Sequence, residues 1–183
     1  MIRASIETIA ESTVDGIISP LFYAAIGGAP LALAYKAVNT LDSMIGHRNE
    51  RYRDFGFVAA KQDELWNWIS ARLSYFVIAF ASFLVHQKPK GAFSVGWRGG
   101  VATSYGNSAI PEAAFAGALG LRLGGMSVYE GRVVEKPFLG LFAAKDFELG
   151  DILESLKLMM ASAWVSLFLC IMIQLGIRQC QTI

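Results

Sequence analysis

One uncharged run dominates the first part of this chain, Gly16-Ile-Ile-Ser-Pro-Leu-Phe-Tyr-Ala-Ala-Ile-Gly-Gly-Ala-Pro-Leu-Ala-Leu-Ala-Tyr35. It has the roughly 20 residues that a helix needs to cross a bilayer. A second run, Leu158–Ile177, meets the same length. A third, Leu73–Val85, reaches only about 20 Å as a helix, against a hydrocarbon core of about 30 Å. We therefore expect Leu73–Val85 to re-enter, or to pack inside the protein without crossing.

Composition agrees with a membrane protein. Of the 183 residues, 54% are hydrophobic and 17% are charged, whereas soluble domains average about 25% charged residues. The net charge of +1 gives no sign of a nucleic-acid partner, and two cysteines are too few for a disulfide framework. We predict a single all-α membrane domain over 1–183, a multi-pass helical bundle with amphipathic and re-entrant helices and long polar loops.

The residues before and within the first run carry two further signals. Glu7, Glu11 and Asp15 recur every four residues, so an amphipathic helix over 3–15 would carry them on one face. Two interpretations stay open: a solvated face, or a site for a cation or an amine at the mouth of the membrane. The sequence Gly27-Gly-Ala-Pro30 predicts a bent or broken helix, because proline interrupts the hydrogen-bond ladder.

The residues that follow the first run are densely polar over 39–56. The pattern predicts a helix over Ala34–Ile45, a stop at Gly46, a polar loop to Gly56 and a helix over Val58–Ser70. Asn, Asp, Arg, Glu and Tyr are mixed in this stretch beside the membrane. Such a mixture suggests a site for a ligand that carries both carboxylate and phosphate groups.

The second half of the chain predicts a loop, a helix, short strands and a last span. Residues 87–108 are rich in Gly, Ser and Lys and predict an irregular loop. The elements expected after it are a helix from Pro111 to Leu123 ended by Gly124-Gly125, short strands or turns at Ser127–Tyr129 and Arg132–Val134, and a helix from Asp151.

A family resemblance begins at residues 35–56, Tyr-Lys-Ala-Val-Asn-Thr-Leu-Asp-Ser-Met-Ile-Gly-His-Arg-Asn-Glu-Arg-Tyr-Arg-Asp-Phe-Gly. This stretch resembles the signature of the CobD/CbiB family, the membrane-bound adenosylcobinamide-phosphate synthases of cobalamin biosynthesis. The likeness continues in Asp63-Glu-Leu-Trp-Asn67, Ala71-Arg-Leu73 and Pro111-Glu-Ala-Ala-Phe-Ala-Gly-Ala-Leu-Gly120. It covers most of the chain between residues 5 and 140.

The resemblance implies amide formation, in which a propionate carboxylate of adenosylcobyric acid is joined to aminopropanol or its phosphate. It also implies a multi-pass protein of the inner cell membrane, in contact with lipid. Joining a carboxylate to an amine in water needs an activated carboxylate, so ATP and Mg²⁺ are expected. The sequence has no G-x-x-x-x-G-K-[ST] loop, so Arg, Lys and metal-bound carboxylates would hold the phosphates.

The resemblance also implies roles for individual residues. Those expected to be catalytic are Glu11, Asp15, Asp42 and Glu50, and magnesium is expected at Glu7, Glu11 and Asp15, with Asp42 as a further candidate. Those expected to bind substrate are Asn39, Arg48, Asn49, Arg51, Tyr52, Arg72, Asn107 and Glu112, with Arg53 as a further phosphate ligand. Two alternatives stay open: the arginines could anchor lipid headgroups, and Glu112 could stabilise its helix N-terminus.

The sequence departs from the family pattern at two points. The chain is expected to lack the family's amino-terminal part, and its loop over 101–110 keeps only Asn107 and Ser108 of the family's His-Pro-Ser-Pro-Asn pattern. A truncated or split synthase, a partner of a separate amino-terminal half, a homo-oligomer and a non-catalytic relative all stay open. If the family chemistry holds, the polar stretches 39–72 and 86–150 should feed one active site.

Overall fold

The computed structural model describes residues 1–46, 53–101, 106–129, 132–141 and 144–181, and it is an almost entirely helical bundle. The elements in chain order are α1 (Ile2–Thr13), a π-helical turn (Val14–Ile18), α2 (Ser19–Ile45), α3 (Arg53–Leu84), α4 (Pro89–Val95), a π-helical segment (Gly96–Val101), α5 (Ala109–Leu119), β1 (Arg122–Tyr129), β2 (Arg132–Gly140) and α6 (Gly150–Gln181). Among these residues, Ile2–Ile45, Asp54–Leu84 and Gly150–Gln179 are long and apolar enough to cross a membrane. The predicted multi-pass helical membrane fold is confirmed.

The predicted break in the first apolar run is also confirmed, and it turns the chain back on itself. Gly28 has φ +66° and ψ −160°, a conformation that essentially only glycine adopts. The hydroxyls of Ser19 and Tyr35 both donate hydrogen bonds to Asn67 Oδ1, each at 2.9 Å. A straight helix would separate Ser19 from Tyr35 by about 24 Å. The first apolar run therefore forms two shorter arms, 19–26 and 30–45, which we call the first hairpin.

Gln174 on α6 completes the hydrogen bonding of this break. Its Nε2 donates to the carbonyl oxygens of Ala24 at 3.0 Å and Ala25 at 2.7 Å. The broken ladder frees these carbonyls, and in an apolar surrounding an unpaired carbonyl is costly. We expect Gln174→Leu to lower the free energy of unfolding by about 1 kcal/mol, measured by denaturant titration in bicelles. Leu175→Ala, at a half-exposed neighbour, is the control and should change it by less than about 0.5 kcal/mol; an equal loss in both variants would contradict the assignment.

The third apolar run belongs to one long helix. Leu73–Val85 supplies the second half of α3, whose 32 residues extend over about 48 Å. The predictions treated 58–70 and 73–85 as separate elements, and the structure joins them in one helix. That Leu73–Val85 packs inside the protein without crossing stays a prediction. The helix also begins at Arg53, before the predicted end of the polar loop at Gly56.

A second helical hairpin replaces the irregular loop predicted over 87–108. Its first limb is α4 with the π-helical segment, and its second limb is α5. The limbs pack backbone to backbone, since a Cβ added at Gly117 would lie 2.5 Å from the carbonyl carbon of Gly91. Both glycines are packing positions. The sequence pattern had placed Gly91 in the loop and Gly117 in the predicted helix from Pro111 to Leu123. The helix α5 ends at Gly120, in a left-handed conformation with φ +71°, earlier than the predicted Leu123.

The predicted strands are confirmed and form a two-stranded antiparallel sheet, with Arg122 opposite Gly140 and Tyr129 opposite Arg132. The amino-terminal helix holds this sheet in place. Arg3 donates to the carbonyl oxygens of Gly124 at 2.5 Å and Met126 at 2.6 Å. The main core lies between α1, α3, α5 and α6, and its fully buried side chains include Ile6, Ile78, Phe115 and Leu158.

Candidate active site

A cavity of about 430 Å³ lies between α1, the first hairpin, α3 and the start of α5. Its lining is strongly acidic, and the carboxylates around it are Glu11, Asp15, Asp42, Asp63 and Glu64. Amide and hydroxyl groups of Asn67, Asn107 and Ser108 complete its polar surface. The described lining residues include no Lys or Arg. The cavity therefore favours a cationic group, either an ammonium or a metal ion.

A hydrogen-bonded chain of side chains fixes one wall of the cavity. Asn67 Nδ2 donates to Asp63 Oδ2 at 3.0 Å, one helical turn earlier on α3. Asn39 Nδ2 reaches the other oxygen of Asp63 at 3.3 Å, and Lys36 Nζ donates to Asn39 Oδ1 at 2.8 Å. Asp15 hydrogen-bonds to Asn39 and lies close to the carboxylates of Asp63 and Glu11. The predicted residues Asn39, Asp15 and Glu11 are therefore brought together.

The second hairpin supplies the opposite wall. Asn107 Nδ2 donates to the carbonyl oxygen of Glu64 at 2.7 Å, and Arg72 Nη1 lies 3.4 Å from Asn107 Oδ1. The predicted residues Arg72 and Asn107 thus meet beside the cavity. The polar stretches 39–72 and 86–150 therefore contact each other, because the second hairpin runs back along α3 and brings Asn107 to Glu64. That both contribute to one active site stays a prediction.

Glu112 lies next to this cavity, buried between α1 and β2. Its side chain is 3% exposed, and Lys136 Nζ lies 3.7 Å from its Oε1. Burial raises the pKa of Glu112 to about 8, Lys136 lowers it in part, and the hydrogen bond and charge of Glu11 raise it, as does the charge of Glu7. Glu112 thus lies between Lys136 and Glu11. A glutamate that only stabilised the N-terminus of α5 would need neither neighbour.

This pKa gives a prediction for stability. Because the pKa of Glu112 rises from its ordinary 4.5 to about 8, the folded state keeps a proton that the unfolded state releases. Stability should be fullest below pH 4.5 and should fall as the pH rises towards 8. Glu112→Gln should remove most of this slope in thermal unfolding between pH 5 and 8. Lys136 lowers the pKa of Glu112, so its removal should raise that pKa further. In Lys136→Met the loss of stability with rising pH should therefore continue above pH 8. A parent slope that persists in Glu112→Gln would contradict the assignment.

Glu7 is not among the described residues that line the cavity, unlike Glu11 and Asp15. Its Oε1 accepts the backbone N–H of Gly124 at 2.9 Å and lies 3.6 Å from Arg3 Nε, so it holds the β-hairpin. Within the described ranges, no group of three His, Cys, Asp or Glu side chains is placed to hold a metal. Carboxylate oxygens are nevertheless the donors that Mg²⁺ prefers, and one or two suffice when phosphates share the ion. The donor chemistry of the cavity therefore fits magnesium, without the predicted contribution of Glu7.

Several predicted residues lie outside the described part of the chain. These are Arg48, Asn49, Glu50, Arg51 and Tyr52, and the side chain of Arg53 is also outside it. Sequence analysis in turn gave no role to Asp63, Glu64, Asn67 or Lys36. The four-residue spacing of Asp63 and Asn67 was the available signal, since it places both on one face of a helix.

Comparison with known proteins places the chain among one group of relatives. A family model described as CobD/Cbib protein matches residues 1–159. The chain is 48% identical over 176 residues to the cobalamin biosynthesis protein CobD of Klebsiella pneumoniae, which covers 96% of this chain and 54% of that protein. It is 53% identical over 152 residues to the CobD protein of Clostridium perfringens, covering 83% of this chain and 48% of the relative.

A third relative is the cobalamin biosynthesis protein CbiB of Salmonella typhimurium, 46% identical over 175 residues, covering 96% of this chain and 54% of that protein. The chain thus spans about half the length of the curated relatives it matches. No solved structure gives a significant match.

Proposed function

Because this chain belongs to the CobD/CbiB family, we propose that it takes part in cobalamin biosynthesis at a cell membrane, in bacteria the inner one. The reaction we propose is amide ligation, which joins aminopropanol or its phosphate to a propionate carboxylate of adenosylcobyric acid. The names of the relatives support the pathway, and the three apolar helical stretches support the membrane.

The acidic cavity is the observation that supports the ligase reaction. An amino alcohol enters as an ammonium ion, and five carboxylates without a described Lys or Arg in the lining suit that charge. The amine must lose a proton before its nitrogen attacks, and Glu11 and Asp15, which line the cavity, would accept it. The nitrogen then forms the C–N bond with the activated carboxyl carbon, and the activating group leaves.

The cofactors remain part of the proposal. ATP with Mg²⁺ would supply the activated carboxyl group when bound. Asp42 and Asp63 line the cavity and would hold the ion, with Glu50 as a further ligand. Arg48, Arg51 and Arg53 would bind phosphate or corrin carboxylates through their guanidinium groups, while Asn49 and Tyr52 would contact the corrin ring.

The experiment is a direct assay of product. Membranes containing the full chain receive adenosylcobyric acid, aminopropanol or its phosphate, ATP and Mg²⁺, and mass spectrometry follows the amide. A second arm co-expresses the part of the Klebsiella pneumoniae relative that this chain does not cover. We expect product in at least one arm, depending on both ATP and the amine. No product in either arm, with the chain inserted in the membrane, would favour a non-catalytic relative.

A further inference from the structure

A shallow groove of about 260 Å³ lies along α3 and the π-helical segment, and its described lining residues differ from those of the acidic cavity. Its lining is apolar apart from one guanidinium group, and includes Trp68, Ile69, Arg72, Leu73, Phe76 and Trp97. We call it the interfacial groove. Its two tryptophans are each 52% exposed, which is a large apolar area to leave uncovered.

The groove lies where the surface of α3 changes character. Before it, charged and apolar side chains are exposed together: Lys61 and Glu64 are ion-paired at 2.6 Å, and Leu65 is 73% exposed. Beyond it, the exposed side chains of the helix are apolar, with Phe80 56% and Phe83 63% exposed. The point at which charged side chains disappear from the exposed surface of a helix marks the boundary between water and hydrocarbon, and tryptophans gather at that depth.

Arg72 provides a positive charge at this boundary. Its guanidinium carbon lies 4.2 Å from the centre of the Trp68 ring, and its Nη1 donates to the carbonyl oxygen of Trp68 at 2.7 Å. Within the described residues, its Nε and Nη2 have no hydrogen-bond partner. The planar guanidinium group of Arg72 can therefore donate these N–H groups to two oxygens of one phosphate.

We propose that the interfacial groove binds one anionic phospholipid. The phosphate lies on the Arg72 guanidinium, the glycerol region lies between Trp68 and Trp97, and the start of an acyl chain follows Leu73 and Phe76. The combination of a cation with an apolar trough at membrane depth requires a ligand that is anionic at one end and apolar at the other. The described lining residues of the groove differ from those of the acidic cavity, although Arg72 also lies 3.4 Å from Asn107 of that cavity. The proposal does not depend on the proposed ligase activity.

The test uses tryptophan fluorescence in the full chain. Trp66→Phe and Trp164→Phe leave Trp68 and Trp97 as the two remaining tryptophans of the four. Phosphatidylcholine nanodiscs contain an equal small fraction of brominated phosphatidylglycerol or brominated phosphatidylcholine as quencher. We expect the anionic lipid to be enriched about fivefold near these rings, the effect of one basic side chain at an anionic surface.

Two variants decide the assignment. Arg72→Gln should reduce the enrichment to about one, whereas Lys61→Gln, which removes a charge earlier on the same helix, should leave it unchanged. Soluble glycerol phosphate should not relieve the quenching. Equal quenching by both lipids in the parent, or an undiminished preference in Arg72→Gln, would overturn the proposal. If Arg72→Gln does not fold, competition by unlabelled lipid in the parent decides: relief by phosphatidylglycerol alone supports the site, and equal relief by phosphatidylcholine rejects it.

Discussion

Replacing Gly117 with alanine should destabilise the protein by about 3 kcal/mol, at the upper end of the cost of overpacking. A Cβ at Gly117 would overlap the carbonyl oxygen of Gly91 and lie 2.9 Å from the nitrogen of Ala92. These are backbone atoms, so no side-chain rotation relieves the overlap. The limbs of the second hairpin would have to separate, and Asn107 would move away from the cavity.

Gly176→Ala is the matched control for this prediction. It makes the same change on α6, where a Cβ would meet nothing within 4 Å. Because alanine favours the helix over glycine, it should raise stability by as much as about 1 kcal/mol. Denaturant titration in bicelles measures both variants. A Gly117→Ala protein as stable as the parent would show that the two limbs do not pack as described.

Asn67→Leu should also cost about 3 kcal/mol, because it removes the four hydrogen bonds that this buried side chain makes with Ser19, Tyr35, Asp63 and Ser70. Asn67 is 3% exposed. Its Oδ1 accepts the hydroxyls of Ser19 and Tyr35, and its Nδ2 donates to Asp63. The substitution would leave two buried hydroxyls without this acceptor and would loosen the first hairpin.

Two further variants sharpen the Asn67 prediction. Gln62→Leu makes a similar change at an exposed position of the same helix and should cost less than about 0.5 kcal/mol. Asn67→Asp keeps an acceptor for Ser19 and Tyr35 but removes the N–H donor to Asp63 and places a second carboxyl group beside it, so it should also be less stable than the parent. Equal stability of Asn67→Leu and Gln62→Leu would contradict the proposed role.

Local signals in the sequence were reliable where one residue type sets a local conformation. Gly27-Gly-Ala-Pro30 indicated a break, and the structure has one at Gly28. The strands Arg122–Tyr129 and Arg132–Gly140 and the last helix were also predicted correctly, because their sequence patterns depend on neighbouring residues. Gly91 misled, because a glycine required for close backbone packing, here against Gly117, looks the same in sequence as a glycine in a loop.

The candidate site was predicted in part. Glu11, Asp15 and Asp42 line the cavity as a set, whereas Glu7 binds Gly124 instead. Asp63 and Asn67 were missed because their importance comes from contacts with residues far away in the chain. Spacing along one helix shows which side chains share a face, but it does not show what that face meets.

The sequence by itself determined that this is a helical membrane protein of the CobD/CbiB type, because hydropathy and a long, low-degeneracy motif are properties of the chain alone. Only the tertiary structure decided that the first apolar run folds back and that a second hairpin returns beside α3. Reversals of this kind depend on distant partners, such as Asn67 for Ser19 and Tyr35. The acidic cavity exists because those reversals bring carboxylates from separate helices to one place.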